Sequence, residues 1–381
     1  MMGHVESGAT CLVALSLALH LVSATTTSSS LDVGAVRVVR VRRDGAGDFR
    51  TVTDAVNSIP SGNKRRVVVW IGRGVYREKI TVDRSKPFVT FYGERNGNDN
   101  DNDSRDIMPI ITYDATALRY GTVDSATVAV DADYFVAVNV AFVVRYLLPF
   151  SFLFIILFVS SRPIFVYGIQ KNSSPRPEEN SVGAQALAMR ISGDKAAFFN
   201  CKFIGFQDTL CDDKGRHFFK DCYIQGTYDF IFGNGKSIYL VGLTYRSTIE
   251  SVANGLSVIT AQGRESMAED TGFTFLHCNI TGSGNGNTYL GRAWKKSPRV
   301  VFAYTYMGSL INTQGWFNNQ VAHAKSNNQT IYYGEYRCMG PGAVSSGRVK
   351  FRKILSKEEA KPFLSMAYIH GGTWVVPPPK L

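Results

Sequence analysis

Short apolar runs separated by polar or glycine-containing turns dominate the chain. From Arg65 onward the runs VVVWIG, FVTFYG and TVAVDADYFVAV each end at a glycine or an acidic turn, and similar runs continue to about Arg352. Short runs rich in β-branched and aromatic residues, bounded by turn residues, are typical of β-strands. The pattern therefore predicts one mostly β domain built from many short strands.

One of these runs repeats along the chain. Phe198–Gly205 (FFNCKFIG) and Phe219–Gly226 (FKDCYIQG) share the pattern F-x-x-C-x-[F/I]-x-G, and Phe275–Gly282 (FLHCNITG) is a third copy. A repeat of about 20 residues made of short β-prone runs is the sequence signature of a solenoid, in which successive coils stack on one another. We therefore expect an all-β, stacked architecture.

Two segments have a helical pattern instead. Phe49, Val52, Val56 and Ile59 recur at helical spacing and the pattern stops at Pro60, which predicts an amphipathic helix near the start of the domain. Because the end of a solenoid exposes unpaired strand groups, this helix is expected to cap that end. A second, short helix is predicted within Ser356–Met366.

An aspartate follows each of the first two repeats at the same place. The third residue after Gly205 is Asp208, and the third after Gly226 is Asp229, whereas the third copy has Asn285 there. If the two copies form adjacent coils, the carboxylates are one strand spacing apart, roughly 5 Å. Two carboxylates that close cannot both ionise easily, so we expect one pKa to be raised and the other lowered. Such a pair can supply one acid and one nucleophile to a hydrolase.

Composition and charge narrow the class of protein. The chain has 381 residues, 45% of them hydrophobic and 19% charged, which is typical of a globular protein, and its formal net charge is +11. A basic protein suits a polyanionic partner such as an acidic polysaccharide, a nucleic acid or a membrane surface. The basic residues are scattered and form no nucleic-acid-binding motif, so no nucleic-acid partner is expected. The alternative is that the charge serves solubility alone.

The first residues resemble a secretory signal peptide. Residues 1–24 contain the apolar run Cys11–Val22, followed by small residues, but no lysine or arginine. We therefore predict cleavage after residue 24, a linker at 25–37 and a secreted, extracellular protein; the alternative is a buried N-terminal helix. N-glycosylation sequons at Asn102, Asn172, Asn279 and Asn328 agree with secretion and a glycoprotein.

The cysteines suggest core packing more than disulfides or metal binding. Beyond residue 24 the cysteines are Cys201, Cys211, Cys222, Cys278 and Cys338. Cys201, Cys222 and Cys278 occupy the repeat position, which predicts an interior column of small side chains. An odd number leaves at least one thiol unpaired. The histidines are scattered and no C-x-x-C motif exists, so no metal site is expected.

Tyr146–Ser161 (YLLPFSFLFIILFVSS) departs from the strand-and-turn pattern. It is uncharged and mostly apolar, contains Pro149, and lies between two arginines. It is slightly short for a membrane span. A buried strand pair and a membrane anchor are both open interpretations, and association with a membrane is expected only if the segment is exposed.

Four motifs include or accompany the two aspartates: GAQALAMR with Gln185, QDTL with Gln207 and Asp208, DFIFG with Asp229 and Phe232, and YLGRAW with Arg292 and Trp294. These motifs resemble those of the pectinesterases, which remove methyl groups from galacturonan esters. The resemblance covers roughly residues 38–142 and 171–379 and is greatest to the plant form without an N-terminal inhibitor-like domain. It implies a right-handed parallel β-helix over residues 38–381, acting on pectin in the cell wall.

The resemblance also implies roles for these residues. Asp229 would be the nucleophile that forms an acyl-enzyme, and Asp208 the proton donor and then the base. Arg292 would keep Asp229 ionised and oriented. No metal or organic cofactor is needed for this chemistry, and a proteinaceous pectinesterase inhibitor is a further candidate partner. The alternative for the aspartates is that they only form turns, and for Arg292 that it is an ordinary ion-pair partner.

Four more residues complete the implied site. Gln185 and Gln207 would donate hydrogen bonds to the tetrahedral oxyanion, although both could instead form interior amide ladders. Phe232 and Trp294 would line the sugar-binding groove, although aromatic residues at such positions often fill the core. Tyr228, directly before the proposed nucleophile, is bulkier than the small β-branched residue that is common in the family.

The apolar segment interrupts the resemblance. In relatives a strand like FVAVNVAF leads almost directly into the equivalent of KNSSPRPEEN, whereas here Val144–Gln170 intervenes. We hypothesise that this insert is translated from a retained intron, because its composition and ends fit such an origin. Transcript sequencing that finds these codons in most mature messages would refute this. The insert also predicts an exposed hydrophobic patch, aggregation or membrane retention.

Two other functions remain open from the sequence. The chain could be another β-helical pectin-active enzyme, a lyase or a polygalacturonase, although a lyase would require calcium-binding acids and a basic residue as the catalytic base. It could also be an inactive wall-binding or misfolded product because of the insert. The pairing of glutamine with Asp208, together with Arg292, favours an esterase.

Overall fold

The computed structural model describes residues 36–95, 108–144, 182–241, 248–318 and 329–378, and the backbone of Phe158–Val159 and Arg162–Pro163. The predicted signal peptide and nearly all of the linker lie outside the described residues. So do three of the four sequons and the apolar insert, apart from Val144 and those two short strands.

Three parallel sheets run along the domain, and nearly all strands are short. The first sheet has eleven strands, in the order Arg37–Val41, Val67–Ile71, Val89–Gly93, Val136–Val138, Ala196–Phe199, Arg216–Lys220, Lys236–Leu240, Gly272–Leu276, Arg299–Ala303, Tyr332–Tyr336 and Arg352–Ile354. The second has eight: Ile80–Val82, Val128–Val130, Met189–Ile191, Leu210–Asp212, Tyr228–Gly233, Ser257–Gln262, Thr288–Arg292 and Trp316–Phe317. The third has eight: Val75–Arg77, Ile110–Tyr113, Ala141–Val144, Lys202–Ile204, Tyr223–Gly226, Thr248–Ser251, Asn279–Gly282 and Tyr306–Met307.

Each coil of the chain visits the sheets in the order third, second, first. Lys202–Ile204, Leu210–Asp212 and Arg216–Lys220 form one such coil, and every pairing with the neighbouring coils is parallel. Successive coils therefore stack as the repeat predicts, and the fold is a parallel β-helix. Outside the three sheets, Phe158–Val159 pairs with Arg162–Pro163 in an antiparallel manner.

The repeated phenylalanine forms an interior aromatic column. Phe198 pairs with Phe219 across adjacent coils, and their ring centroids are 4.8 Å apart. The column continues through Tyr239, Phe275 and Phe302 at centroid distances of 4.4, 4.5 and 4.5 Å. The third copy of the repeat therefore lies two coils beyond the second. Stacked rings at this distance contribute packing energy beyond the area that they bury.

The repeated cysteines are buried beside this column, as predicted. Cys201 and Cys222 lie on adjacent coils, Cys278 lies on a later one, and all five cysteines of the described residues are unpaired thiols. Burial raises the pKa of the Cys222 thiol, with Cys201 as a further cause. These thiols therefore act as small core side chains.

The predicted N-terminal helix spans Val52–Asn57. Its apolar face, Val52, Ala55 and Val56, is buried against the first strands of the solenoid. The Thr51 side chain accepts a hydrogen bond from the Asp54 N–H at 3.0 Å and caps the helix. Lys86 Nζ donates to the Val56 carbonyl oxygen at 2.9 Å, at the helix end where a positive charge is favourable.

The other helical elements are shorter than the pattern predicts. Within Ser356–Met366 the α-helix is confined to Lys357–Ala360, and Ser356 and Glu359 form a reciprocal capping box. It is followed by the 3-10 turns Lys361–Phe363, Met366–Ile369 and Gly371–Thr373. The helix Ala117–Tyr120 and the 3-10 turns Val123–Ser125 and Pro341–Ala343 are further short elements. In the part of the chain that the structure describes, no helix is both long and apolar enough to cross a membrane.

Candidate active site

Asp208 and Asp229 lie at the same corner of adjacent coils. Asp208 occupies the connection from the third sheet to the second, and Asp229 is the second residue of the strand Tyr228–Gly233, which follows the same connection in the next coil. The Asp208 N–H donates to the Tyr228 carbonyl oxygen at 3.1 Å. The phase of the repeat thus predicts the juxtaposition correctly. Both carboxylates are nearly buried, since Asp208 is 9% and Asp229 is 6% exposed.

The backbone conformation at this corner explains why aspartate and glycine occur there. Asp208 has φ 63° and Asp229 has φ 48°, the left-handed region that aspartate tolerates better than most residues. Gly226 precedes the second turn, and a Cβ there would lie 2.1 Å from the Cβ of Phe230. The strand pairing also shifts register between Tyr228 and Ile231. This irregularity takes Asp229 out of the regular ladder, as β-bulges beside active sites do.

Arg292 reaches Asp229 from two coils further along. Its Nε lies 2.8 Å from Oδ1 and 2.9 Å from Oδ2 of Asp229, and its Nη2 also donates to Oδ2. The Arg292 side chain is 12% exposed. A planar guanidinium that grips both carboxylate oxygens fixes the orientation of the carboxylate as well as its charge. The Arg292 guanidinium carbon also lies 5.6 Å from the ring centroid of Tyr228.

The two aspartates differ in proton affinity. Burial raises the pKa of Asp208 well above its ordinary value, and the neighbouring Asp229 raises it further. Burial also raises the pKa of Asp229, but the hydrogen bonds and charge of Arg292 oppose that effect. The expectation that one pKa falls below its ordinary value was wrong, because the cost of burying Asp229 exceeds the stabilisation by Arg292. The pKa of Asp208 is nevertheless raised more than that of Asp229, as expected of a protonated acid beside an ionised nucleophile.

Gln185 and Gln207 lie on consecutive coils beside the aspartates. The Ala186 N–H donates to the Gln207 carbonyl oxygen at 3.3 Å, and both glutamines are partly exposed. Gln207 is directly adjacent to Asp208 in the chain. The glutamines thus flank the site on the coil of Asp208 and the coil before it, and they are not sealed in the core as interior ladders would be.

Trp294 and Phe232 pack together on the outer face of the second sheet. Trp294 is 38% exposed and Phe232 is 5% exposed, with ring centroids 5.8 Å apart in an edge-to-face arrangement. A Cβ on Gly263 would lie 3.0 Å from the Trp294 ring, so glycine at this position makes room for the indole. The tryptophan is therefore partly exposed at the surface, where Lys295 Nζ lies 5.8 Å from its ring centroid, whereas the phenylalanine packs against it from the buried side.

A buried polar cluster at the far end of the strand Leu210–Asp212 from Asp208 was missed in the sequence. His217 Nδ1 is 2.5 Å from Oδ1 of Asp212, His217 Nε2 is 2.9 Å from the Gly193 carbonyl oxygen, and the Tyr239 hydroxyl donates to Oδ2 of Asp212 at 2.7 Å. Since both partners of the imidazole are acceptors, the arrangement favours the protonated ring, in which both nitrogens donate, and the pKa of His217 is raised. A signal was present: His217 is two residues before Phe219, so strand alternation turns it inward.

Taken together, the geometry defines a class of enzyme. A parallel β-helix with two nearly buried carboxylates on adjacent coils, one of them held by an arginine, has the residue types that hydrolases use for acid–base and nucleophilic chemistry. The pectinesterase family model matches residues 38–145 and 176–372. The chain belongs to the pectinesterase family, and the unmatched stretch contains most of the predicted insert Val144–Gln170.

Known proteins are similar over nearly the whole chain. "Putative pectinesterase 63" of Arabidopsis thaliana is 48% identical over 89% of this chain and 86% of its own length. "Pectinesterase 2" of Olea europaea is 43% identical over 91% of this chain and 82% of its own length. The pectin methylesterase from carrot has a similar structure, with a TM-score of 0.70 at 30% identity, covering 92% of this chain and 97% of the carrot chain. These similarities agree with the fold and the motifs.

Proposed function

We propose that the chain hydrolyses the methyl esters of homogalacturonan, yielding methanol and de-esterified, anionic pectin. The observation that carries this proposal is the carboxylate of Asp229, held by Arg292 beside a buried Asp208 of raised pKa on the adjacent coil. An ester hydrolysed by a carboxylate requires these two protonation states at once. Membership of the pectinesterase family supports the substrate class.

In the first half-reaction, an oxygen of Asp229 attacks the carbonyl carbon of the methyl ester. The amide N–H groups of Gln185 and Gln207 then donate to the oxyanion of the tetrahedral intermediate. The intermediate collapses as the C–O bond to the methoxy group breaks, and Asp208 transfers its proton to the departing oxygen. Methanol leaves, and the substrate acyl group remains joined to Asp229 as an anhydride.

In the second half-reaction, Asp208 is a carboxylate and accepts a proton from water. The hydroxide oxygen attacks the substrate carbonyl carbon of the anhydride, and the bond to the Asp229 oxygen breaks. Asp229 recovers its carboxylate beside Arg292, and Asp208 is again protonated. The product is first a carboxylic acid whose hydroxyl oxygen comes from water, and it becomes the carboxylate by releasing its proton to the solvent.

The test of the proposal is methanol release from methyl-esterified pectin, measured for this chain and for a version without Val144–Gln170. Release by both supports the esterase and makes the insert a tolerated loop. Release by the shortened version alone supports the site and shows that the insert abolishes activity. No release from either folded protein refutes the proposal, and cleavage of the polymer backbone in its place would identify a lyase or polygalacturonase.

The pH dependence of kcat/KM should be bell-shaped. Asp229 must be ionised, so activity should rise with pH through the apparent pKa on the acid side, and Asp208 must be protonated, so activity should fall above the apparent pKa on the alkaline side. Because Arg292 opposes the raised pKa of Asp229, Arg292→Gln should move the acid limb to higher pH and narrow the profile. Arg292→Lys, which keeps the charge, should move it less. An acid limb that is unchanged in Arg292→Gln would contradict the assignment.

The exposed face of Trp294 is proposed to support the sugar rings of the polymer. Trp294→Ala should lower kcat/KM on polymeric pectin about 3- to 10-fold, since aromatic packing of this kind contributes about 0.5–1.5 kcal/mol. Trp294→Phe should retain most of the activity because Phe232 still supports the ring. Initial rates on the polymer and on a short methyl ester check this, and an equal loss on both substrates would argue against a role in polymer binding.

We further propose that the protein is secreted to the cell wall, where its substrate lies, after removal of residues 1–24. Detection of the mature N-terminus in the wall fraction tests this. A proteinaceous pectinesterase inhibitor is a candidate partner, and co-purification with the folded enzyme would test that interaction. Retention in cell membranes would instead indicate that the 146–161 segment is exposed.

A further inference from the structure

The Arg292 guanidinium is anchored mainly by the carboxylate that it positions. Its Nε and Nη2 both donate to Asp229, which is also its ion-pair partner. Its Nη1 is buried and has no hydrogen-bond partner in the part of the chain that the structure describes. An arginine carries five N–H donors and can be fixed from two sides at once. Here the hydrogen bonds come from one side, so the other contacts of the guanidinium determine how firmly it is held.

The Tyr228 ring supplies such a contact. Its centroid lies 5.6 Å from the guanidinium carbon of Arg292. The electron-rich face of an aromatic ring attracts a cation within about 6 Å, and the attraction is stronger where water is excluded. The Arg292 side chain is 12% exposed, so little water competes with the ring. Burial raises the pKa of the Tyr228 hydroxyl and the charge of Asp229 raises it further, which keeps the phenol neutral.

The backbone of Tyr228 is fixed by the turn that carries Asp208. Its carbonyl oxygen accepts from the Asp208 N–H at 3.1 Å, and Asp229 is the next residue. In the following coil Tyr228 pairs with Val258, which is fully buried. Tyr228 thus contacts both aspartates through its main chain and Arg292 through its ring. The small β-branched residue that is common here in the pectinesterase family has no aromatic face and cannot make this contact.

The contact has its largest effect in the acyl-enzyme of the proposed mechanism. Acylation converts the Asp229 carboxylate into an anhydride and removes its negative charge, while Arg292 stays positively charged and mostly buried. A buried charge without an opposite charge is costly. The face of the Tyr228 ring carries partial negative charge and is unchanged by the reaction, so it continues to stabilise the guanidinium.

We propose that Tyr228 is a positioning residue, whose ring holds Arg292 against Asp229 before acylation and stabilises the guanidinium charge in the acyl-enzyme. This inference rests on the proposed function, because the acyl-enzyme is part of that mechanism. The alternative is that the ring only fills space beside the site. An aliphatic side chain of similar size distinguishes the two, since it fills the same space and offers no negative face to the cation.

Tyr228→Leu removes the aromatic face and keeps apolar bulk. It should lower kcat for methanol release from pectin about 2- to 10-fold and change KM less, since the ring acts on Arg292 and not on the polymer. The acid limb of the kcat/KM profile should move to higher pH, because a loosely held Arg292 opposes the raised pKa of Asp229 less. Tyr228→Phe keeps the ring and should retain most of the activity and the acid limb. Initial rates over a range of pectin concentrations and pH values measure this.

The matched control is Tyr306→Leu. Tyr306 is 44% exposed and lies on a strand of the third sheet, in a later coil than the aspartates. The same change there should leave kcat and the pH profile unaltered. Equal losses in Tyr228→Leu and Tyr228→Phe would overturn the proposal, because the loss would then follow the hydroxyl. An unchanged kcat and acid limb in Tyr228→Leu would overturn it as well. Should Tyr228→Leu not fold, Tyr228→Met replaces it.

A double-mutant cycle on stability separates this proposal from the proposed function. Denaturant unfolding compares the unaltered chain, Tyr228→Leu, Arg292→Gln and the double variant. Tyr228→Leu should raise the unfolding equilibrium constant about 2- to 5-fold more in the unaltered chain than in the Arg292→Gln chain. Coupling of this size in a chain that releases no methanol would support the contact with Arg292 and refute the esterase function. Additive effects of the two changes would overturn the proposal whether or not the chain is active.

Discussion

Asp229→Asn is expected to reduce methanol release from methyl-esterified pectin by about 10⁴-fold. An amide is a poor nucleophile, so the anhydride cannot form even though the fold and the groove remain. The loss should appear in kcat more than in KM, because in the proposed mechanism Asp229 acts on the reacting carbon and contributes little to holding the polymer. Initial rates over a range of pectin concentrations measure this.

The matched control for this change is Asp124→Asn. Asp124 is exposed, so the same loss of a carboxylate there should leave activity unchanged. Because Asp229→Asn also removes the partner of Arg292, circular dichroism and thermal unfolding must show that the variant is folded. A folded Asp229→Asn variant that keeps more than about a tenth of the activity would exclude Asp229 as the nucleophile.

His217→Gln should lower the free energy of unfolding by about 3–5 kcal/mol. His217 and Asp212 are fully buried, and removal of the imidazolium leaves the Asp212 carboxylate with the Tyr239 hydroxyl alone. The surface change His277→Gln is the control, since His277 is exposed and stacks only on Tyr304 at 4.9 Å. Denaturant unfolding compares the two variants, and equal stability would show that the buried pair contributes nothing net.

The same pair should make stability depend on pH. Burial alone lowers the pKa of His217, but the charge and hydrogen bond of Asp212 outweigh it, and the folded-state pKa is raised above the ordinary value. The folded state therefore binds the proton more tightly than the unfolded state. This contribution is complete below the unfolded pKa of about 6.5 and is lost as pH rises through the folded pKa, at up to about 1.4 kcal/mol per pH unit. The slope should be smaller in His217→Gln.

The architecture could be predicted because the sequence repeats. The shared pattern of Phe198–Gly205 and Phe219–Gly226 predicted the stacking of the coils, the buried cysteines and the shared corner of Asp208 and Asp229, whereas the aromatic column was seen only in the structure. Helix lengths were less predictable, because residues such as Lys361–Phe363 continue the apolar spacing while the backbone tightens into 3-10 turns. Spacing reports which side is buried and not which hydrogen-bond pattern is used.

The site was only partly accessible from the sequence. Arg292 lies two coils beyond Asp229, with the strand Ser257–Gln262 between them, so only the family motif, and no local pattern, indicated their contact. The raised pKa of Asp229 could not be predicted, since it depends on how completely the carboxylate is buried. Phe232 was expected to line the groove, and its position beneath Trp294 follows from packing between separate coils.

Because Arg292 lies near the C-terminal end of the second sheet, enzyme activity should be sensitive to local unfolding at that end. In a solenoid each coil is stabilised mainly by its neighbours, so such a fold can unzip from a terminus while the rest stays folded. Beyond the strand Thr288–Arg292, the second sheet has one further strand, Trp316–Phe317. Local unfolding of the last coils would therefore separate Arg292 from Asp229 before the coils that carry Asp208 and Asp229 unfold. On heating, enzyme activity should therefore be lost at a lower temperature than most of the β-structure. The stability of the C-terminal coils thus sets the temperature at which the enzyme is inactivated.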